Sequence, residues 1–542
     1  MIRFQRLAQA ATFGIFVCLL IVAWYPFPEG LPVAFFLRLD PLIGLGTIVA
    51  SRELSAYLIP DLILALTTLF LGRYFCGHIC PMGTTLDMMQ VPFASRRRRS
   101  LKICTYEASS PYRNLKYWGL VMIVGAGLAG VSLIFLGSPL SLVTRFYGLA
   151  VYPIILLASE SLLQVLSQFA GTFPDMAYLQ FHQKVFATNV FVFILFLGIA
   201  GLAWIQPRFW CRNLCPSGAL LSLFSRNPLV KRTVSDSCNR CGLCVSECPT
   251  GAISEDPEKT VHSECIVCLR CKEICPQSAI SFSIRGTVTP RFVSAHDPTR
   301  RGIIWALCSG LITAGLFRTS VNQPKPIDRE RALVDGELIR PPGALPEPDF
   351  LVKCVRCGEC MKACATNTLQ PVWLKAGLEG LFSPVMLPRL AACAVNCNVC
   401  GKVCPTGAIR DLTLIEKNHA KVGTAWIARE NCLVWEQDKK CLVCDEVCPY
   451  NAVSFRPVSE RRNAVPFVIA NRCTGCGWCE SKCPVEGTSA IRINIIGQMR
   501  LAEGSYVEKA KEYGLLFRAN DNSMDGLAPG TFDIPGGIDP VD

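Results

Sequence analysis

From Cys238 to Pro249 the chain reads CNRCGLCVSECP: four cysteines at spacings of two, two and three residues, closed by proline. The spacing returns in CIVCLRCKEICP, residues 265–276. The chain holds 31 cysteines among 542 residues, an odd number gathered mostly in such tight groups. A chain this long has no need of disulfide staples. Ligation of metal by thiolates accounts for the grouping, and it fixes the local fold, because the backbone must wrap around what the thiolates hold.

Spacings of two, two and three before proline are those of bacterial ferredoxins, in which the fourth cysteine ligates the partner [4Fe–4S] cluster. Three close thiolates wrap one side of a cubane and a distant fourth closes it. Interleaving therefore expects Cys238, Cys241, Cys244 and Cys275 on one cluster, and Cys265, Cys268, Cys271 and Cys248 on another. The alternative, a pair of four-thiolate zinc sites, rarely shows this spacing. Further along, Cys354, Cys357, Cys360 and Cys364 keep the spacing, with Ala365 in place of proline. Cys393, Cys397, Cys400 and Cys404 open with a gap of three. Cys432, Cys441, Cys444 and Cys448 open with a gap of eight, and Cys473, Cys476, Cys479 and Cys483 are regular. The expected sets are Cys354, Cys357, Cys360 with Cys404; Cys393, Cys397, Cys400 with Cys364; Cys432, Cys441, Cys444 with Cys483; and Cys473, Cys476, Cys479 with Cys448. That makes six clusters.

Four more cysteines belong to a repeat. RYFCGHICPMG, residues 73–83, and RFWCRNLCPSG, residues 208–218, share Arg, two aromatic residues, Cys, three residues, Cys-Pro, any residue and Gly. Each copy follows an apolar segment, and each segment is preceded by a corner, Leu39-Asp40-Pro41-Leu42 or Gly137-Ser138-Pro139-Leu140. Cys76, Cys80, Cys211 and Cys215 supply the thiolates of a seventh cluster, or else form two redox-active pairs. Cys18 and Cys308 read as core cysteines, and Cys104 has no assigned role.

The composition is apolar, 51% hydrophobic with a mean hydropathy of +0.34. Five segments approach the roughly 20 apolar residues that cross a bilayer: Leu7 to Tyr25, Ala56 to Gly72, Leu115 to Gly137, Thr188 to Gln206 and Gly302 to Leu316. A sixth, Leu149 to Leu166, carries Glu160 and Gln164 and is expected to lie along the interface, because parallel repeats then place both motifs on one face. The net charge of +12 concentrates at segment ends, as in Arg96–Arg99, Lys102, Arg212, Arg226, Lys231 and Arg232, and marks that face as cytoplasmic. The expected architecture is a membrane α-helical bundle of about five helices with α+β ferredoxin-like domains. Residues 1–206 form four spans with the twin motifs, and 207–299 a cytoplasmic two-cluster domain. Residues 300–318 form a fifth span, 319–350 a linker, 351–497 a four-cluster domain and 498–542 a tail. Parity puts residues 319–542 in the periplasm. Arg300-Arg301 before a moderately apolar run suit twin-arginine export, or serve only as positive-inside anchors.

GAGLAG, residues 125–130, lies inside an apolar run with no βαβ context and reads as small residues for close helix packing. There is no C-x-x-C-H haem attachment and no P-loop, and the five histidines avoid the span centres, so haem and nucleotide chemistry are not expected. Nothing resembles a nucleic-acid-binding module. Asp61 and Glu160, toward the outer face, are candidate proton acceptors for a quinol or plain interfacial acids. His78, inside the first motif, reads as a neighbour of the bound cluster or a quinone contact.

The first 300 residues resemble the NapH-type membrane ferredoxins of quinol dehydrogenase modules, and residues 300–497 resemble the NapG-type four-cluster ferredoxin, normally a separate exported partner. The resemblance implies electron transfer between membrane (mena)quinol, a mobile substrate, and a periplasmic reductase or cytochrome. The fusion of the two is the departure from the family pattern. The alternatives are an assembly or regulatory redox factor, similar to NosR-like and copper-oxidase maturation proteins, and a cytoplasmic ferredoxin:quinone link.

Overall fold

Apolar runs broken by Pro, Gly and capping residues give helices of uneven length. The computed structural model describes residues 2–24, 30–54, 56–99, 111–167, 183–284, 299–319, 338–459 and 461–517. They fall into two units, one of residues 1–387, 398–412 and 500–504, the other of 388–397, 413–499 and 505–542.

The first unit opens with α1 (Ile2–Val22), α2 (Pro41–Ser51), α3 (Ile59–Leu71), α4 (Tyr74–His78) and α5 (Pro81–Arg99). Next come α6 (Leu115–Leu128), α7 (Ile134–Gly137), α8 (Pro139–Arg145), α9 (Tyr152–Ser167), α10 (Asn189–Gly201) and α11 (Pro216–Phe224). Asp40 and Ser138 cap α2 and α8, each followed by proline at the first helical position, where proline loses no hydrogen bond. The caps meet: Ser138 Oγ donates to Asp40 Oδ2 at 2.6 Å, and Ser217 Oγ to Oδ1 at 2.8 Å. The two preludes thus meet on one carboxylate at the bundle centre.

The span expectations are partly revised. Two described runs are apolar and long enough to cross a membrane, Phe4–Val22 and Pro139–Leu163. The second contains most of the segment expected along the surface, because α8 runs on through a wide turn at Phe146–Val151 into α9. α3, α6 and α10 have 13, 14 and 13 residues, each about 20 Å long at 1.5 Å per residue. The segment 115–137 is two helices, since Gly130 at φ 77° breaks it after Leu128.

A small ferredoxin segment follows, with α12 (Leu243–Ser246), α13 (Arg270–Ile274) and the antiparallel pair β1 (Lys231–Val234) and β2 (Ile280–Ser283). α14 (Arg300–Thr319) then packs along α6. A Cβ on Gly125 would lie 2.9 Å from Leu307 O, and one on Gly310 would collide with Met122 O, so glycine sets this close approach.

A second ferredoxin segment holds α15 (Glu347–Lys353), α16 (Glu359–Ala363), α17 (Val399–Lys402) and the pair β3 (Leu369–Pro371) and β4 (Pro384–Met386). The linker expected over 319–350 therefore ends before 338: Arg340 is buried against Glu347 at 2.5 Å, and Phe350 is fully buried.

The two segments meet opposite ends of α1. Near its start, Gln5 and Gln9 Nε2 donate to Gly77 O in the first motif, and Arg270 donates to Gln5. At its end, the Lys362 ammonium donates to the carbonyls of Leu20 and Ala23, where helix carbonyls lack partners. α1 itself has 21 residues, about 31 Å of helix, and its contacts at Gln5 and Leu20 stand about 22 Å apart along it.

The second unit holds α18 (Leu414–His419), α19 (Leu433–Gln437), α20 (Val443–Glu446), α21 (Trp478–Lys482) and α22 (Tyr506–Glu512). β5 (Thr424–Ile427) pairs with β8 (Ile491–Asn494), and β6 (Val453–Arg456) with β7 (Val465–Val468), both antiparallel. The tail expected from 498 is folded through α22, with Tyr506 fully buried. Arg96–Arg99 close α5, while Lys102 and Cys104 lie outside the described residues.

Candidate iron–sulfur sites

The four regular runs share one backbone path. In each, the residues on either side of the second cysteine have positive φ: Arg240 and Gly242, Val267 and Leu269, Arg356 and Gly358, Gly475 and Gly477. Val267 at φ 51° is a β-branched residue in a region it rarely visits, held there by a loop that must turn three thiols inward. The variant runs differ at the corresponding place, with Asn398 at φ −131° and Leu442 at φ −118°. Their longer first gaps remove the need for the tight turn.

Two cavities in the second unit are ringed by cysteines. One is lined by Cys448, Cys473, Cys476 and Cys479. The other is lined by Cys432, Cys441, Cys444 and Cys483. Each ring is one of the interleaved sets expected from the spacing.

In the first unit, Cys265 lies within electrostatic reach of Cys268, Cys271 and Cys248. Cys244 is within reach of Cys238 and Cys241, and Cys275 joins the cluster of side chains around Cys244. Cys360 likewise faces Cys357, Cys354 and Cys404, with Cys400 beyond. Of the remaining set, Cys364 and Cys400 belong to the first unit and Cys393 and Cys397 to the second. Burial pushes the Cys271, Cys444 and Cys476 thiols up to about 12, so binding metal must displace their protons. Donors are already aimed at sulfur. The amides of Ala252, Ala452 and Ala425 point at Cys248, Cys448 and Cys473 Sγ, at 3.2, 3.3 and 3.3 Å, which favours the thiolate.

The twin motifs converge. Cys80 lies within electrostatic reach of Cys76 and Cys211, and Cys215 of Cys211 and Cys76. Cys80 and Cys215 stand just before α5 and α11, each with proline next, and Cys215 Sγ accepts from Gly218 N at 3.3 Å. Helix N-termini favour negative sulfur. Two buried donors of the motifs, Arg73 Nε and Trp210 Nε1, have no hydrogen-bond partner. An inorganic sulfide would satisfy such donors, so the residues present fit a cluster.

The first ferredoxin segment abuts this site. Gly77 admits Ile266 O, which would lie 2.5 Å from a Cβ there. Glu264, just before Cys265, is bonded by Arg73 at 3.0 Å and Lys116 at 2.6 Å. Burial opposes its charge, yet these cations hold its carboxyl down to about 2. At the other end of α1, the loop between Cys354 and Cys357 enters the bundle. Ser141 Oγ donates to Val355 O at 2.8 Å, Arg145 Nε to Arg356 O at 2.9 Å, and Arg356 Nη1 to Ser132 O at 3.0 Å.

The quinol candidates are dispersed. Asp61 is buried on α3 against Gly44 of α2, with neither carboxylate oxygen hydrogen-bonded. Glu160 accepts from Gln183 Nε2. The His78 ring is half-buried, 3.2 Å from Tyr74 O, and burial lowers its affinity for a proton. Among the described residues no hydrogen bond or ion pair joins these three. Sequence reasoning missed Asp40, Arg145, Arg356, Lys362 and Glu264, whose partners are far away in the chain. The arginines at the head of each motif were visible, without a role.

Comparisons with known proteins agree with the cysteine chemistry. A family described as 4Fe-4S binding domain matches residues 56–102 and 188–235, covering both twin motifs. Another of the same description matches 233–254, and a 4Fe-4S dicluster domain matches 439–486. The methylamine utilization ferredoxin-type protein MauM of Methylorubrum extorquens is 40% identical over 36% of this chain and 89% of its own length. That of Paracoccus denitrificans is 41% identical over 39% and 88%. The ferredoxin-type protein NapG of Escherichia coli is 35% identical over 30% and 72%. With its cysteine runs, its cysteine-ringed cavities and these relatives, the chain belongs to the MauM and NapG family of ferredoxin-type 4Fe–4S electron-transfer proteins.

Proposed function

We propose that this chain is a membrane protein that takes electrons from (mena)quinol and delivers them to a periplasmic redox partner. The observation that carries this reading is the docking of two ferredoxin segments toward opposite ends of α1, a helix about 31 Å long. That length matches the hydrocarbon core of a bilayer. The outward sides of the helices support it: Leu62, Ile63 and Leu66 on α3, Ile194 on α10, and Ile304 and Ile312 on α14 are exposed. So broad an apolar surface needs lipid or protein against it.

The six interleaved cysteine sets and the twin-motif set would hold six or seven [4Fe–4S] clusters, which when bound supply one-electron transfer. The residues of the chain do the rest. The Cys-x-x-Cys loops enter the bundle at both ends, and hydrogen bonds to sulfur and burial set the potentials. Oxidation of a quinol releases two electrons and two protons. Asp61, buried with a free carboxylate toward the outer half of the bundle, takes a proton, and Glu160 stands nearer the surface. The resemblance to exported NapG-type proteins and Arg300-Arg301 before α14 support a periplasmic place for residues 319–542.

Anaerobically purified protein is expected to carry about 24 to 28 irons and no stoichiometric zinc. Four to eight irons with one or more zincs per chain would overturn the polyferredoxin reading.

A further inference from the structure

Arg73 and Arg208 occupy the same place in the two motifs, three residues before Cys76 and Cys211. Both are buried, with 1% of each residue exposed. Each guanidinium crosses to the other copy. A Cβ on Gly218 would lie 2.7 Å from Arg73 Nη2, and one on Gly83 would lie 3.6 Å from Arg208 Nη2. Gly218 is therefore the gap through which Arg73 passes, whereas at Gly83 Arg208 lies in ordinary contact and the tight neighbour is Cys76 O, at 3.0 Å. Arg208 Nη1 also donates to Cys76 O at 3.0 Å. Arg73 is within electrostatic reach of Cys76 and Cys215, and Arg208 of Cys211.

Each cation has its own carboxylate. Arg73 is paired with Glu264, and Arg208 with Asp87 at 2.7 Å, which Arg270 also approaches at 3.3 Å. Arg73 nonetheless keeps its Nε without a partner, as does Trp210 Nε1. Two buried cations thus stand beside four converging thiols, and Trp210, with its idle Nε1, immediately precedes Cys211.

We propose that Arg73 and Arg208, crossing between the copies, together with Trp210 Nε1, are positioning residues that raise the reduction potential of the group held by Cys76, Cys80, Cys211 and Cys215. The proposal rests on the reading that these four thiolates hold one cluster. A site of four thiolates gains negative charge on reduction, and a buried positive charge or an N–H directed at sulfur stabilises that state. The arrangement also explains why each copy of the repeat begins with arginine, and why the second ends with glycine.

Redox titration of full-length protein, followed by electron paramagnetic resonance, tests this with iron content as a control. The signal of the twin site is first identified as the one lost in Cys215→Ser and in Cys76→Ser. Arg73→Gln, Arg208→Gln and Trp210→Phe are expected to retain iron and to move that signal to more negative potential, leaving the other signals in place. Arg208→Lys, which keeps the charge, should shift less than Arg208→Gln. If the glutamine variants lose iron, Trp210→Phe and Arg73→Lys decide the matter, since each removes a donor with little change of charge. An iron-loaded set with the wild-type potential overturns the proposal alone. Absence in the wild type of any signal that depends on the four cysteines overturns both it and the cluster reading beneath it.

Discussion

Glu264 carries two buried cations on one carboxylate, Arg73 and Lys116. Burying charge is tolerable only when every charge is matched, and here the match joins the first ferredoxin segment to the helices that present the twin motifs. Glu264→Gln leaves both cations buried without a counter-ion and is expected to cost about 3–5 kcal/mol. Limited proteolysis reads this: cleavage within residues 231–284 should accelerate while the second unit resists as before, and an unchanged rate would contradict the role. None of this was legible in the sequence, where Glu264 is an unremarkable acid beside a cysteine. Its partners are 191 and 148 residues away, and only folding brings them together. The cysteines were legible because their chemistry is local: spacing alone tells which thiols share a loop.

At the scale of elements, the turn His262–Glu264 shows how a fold sets a proton affinity. Burial, then the nearby Lys231 and Arg232, push His262 down to about 4. The folded chain therefore holds it neutral at a pH where the unfolded chain protonates it. Its contribution to stability is full above about 6.5 and is lost as pH falls toward 4. Hydrogen exchange at the β1–β2 amides, corrected for intrinsic rate, should be faster at pH 5 than at pH 7. In His262→Gln that difference should shrink, and an undiminished difference would contradict the assignment. The regular cysteine runs were readable as elements, down to the paired positive-φ residues that their tight spacing enforces. The helices were less so. A hydropathy pattern does not reveal that Gly130 ends one helix early, or that α8 and α9 run on together, because both depend on backbone geometry and packing. The Asp-Pro and Ser-Pro corners were visible as a repeat, but not that Asp40 and Ser138 bond each other, since that contact exists only where the two copies meet.

Taken whole, the first unit is a helical bundle with a ferredoxin loop inserted at each end: Ile266 beside Gly77, and Val355 beside Ser141. Both inserted residues are buried, at 2% exposure each, so neither segment is a loosely tethered appendage. The bundle between them is threaded by a polar path from Ser217 through Asp40 and Ser138 to Ser141, an expensive feature in an apolar core unless it serves to hold or couple what lies at its ends. The account requires that electrons enter from quinol and reach the bound clusters. Purified protein in anaerobic liposomes, given a reduced menaquinol analogue and watched by electron paramagnetic resonance, tests this most directly. Signals of reduced clusters should grow in the wild type and be abolished in Cys215→Ser, which dithionite still reduces at its remaining clusters. Clusters that dithionite reduces but quinol leaves oxidised in the wild type would contradict the account.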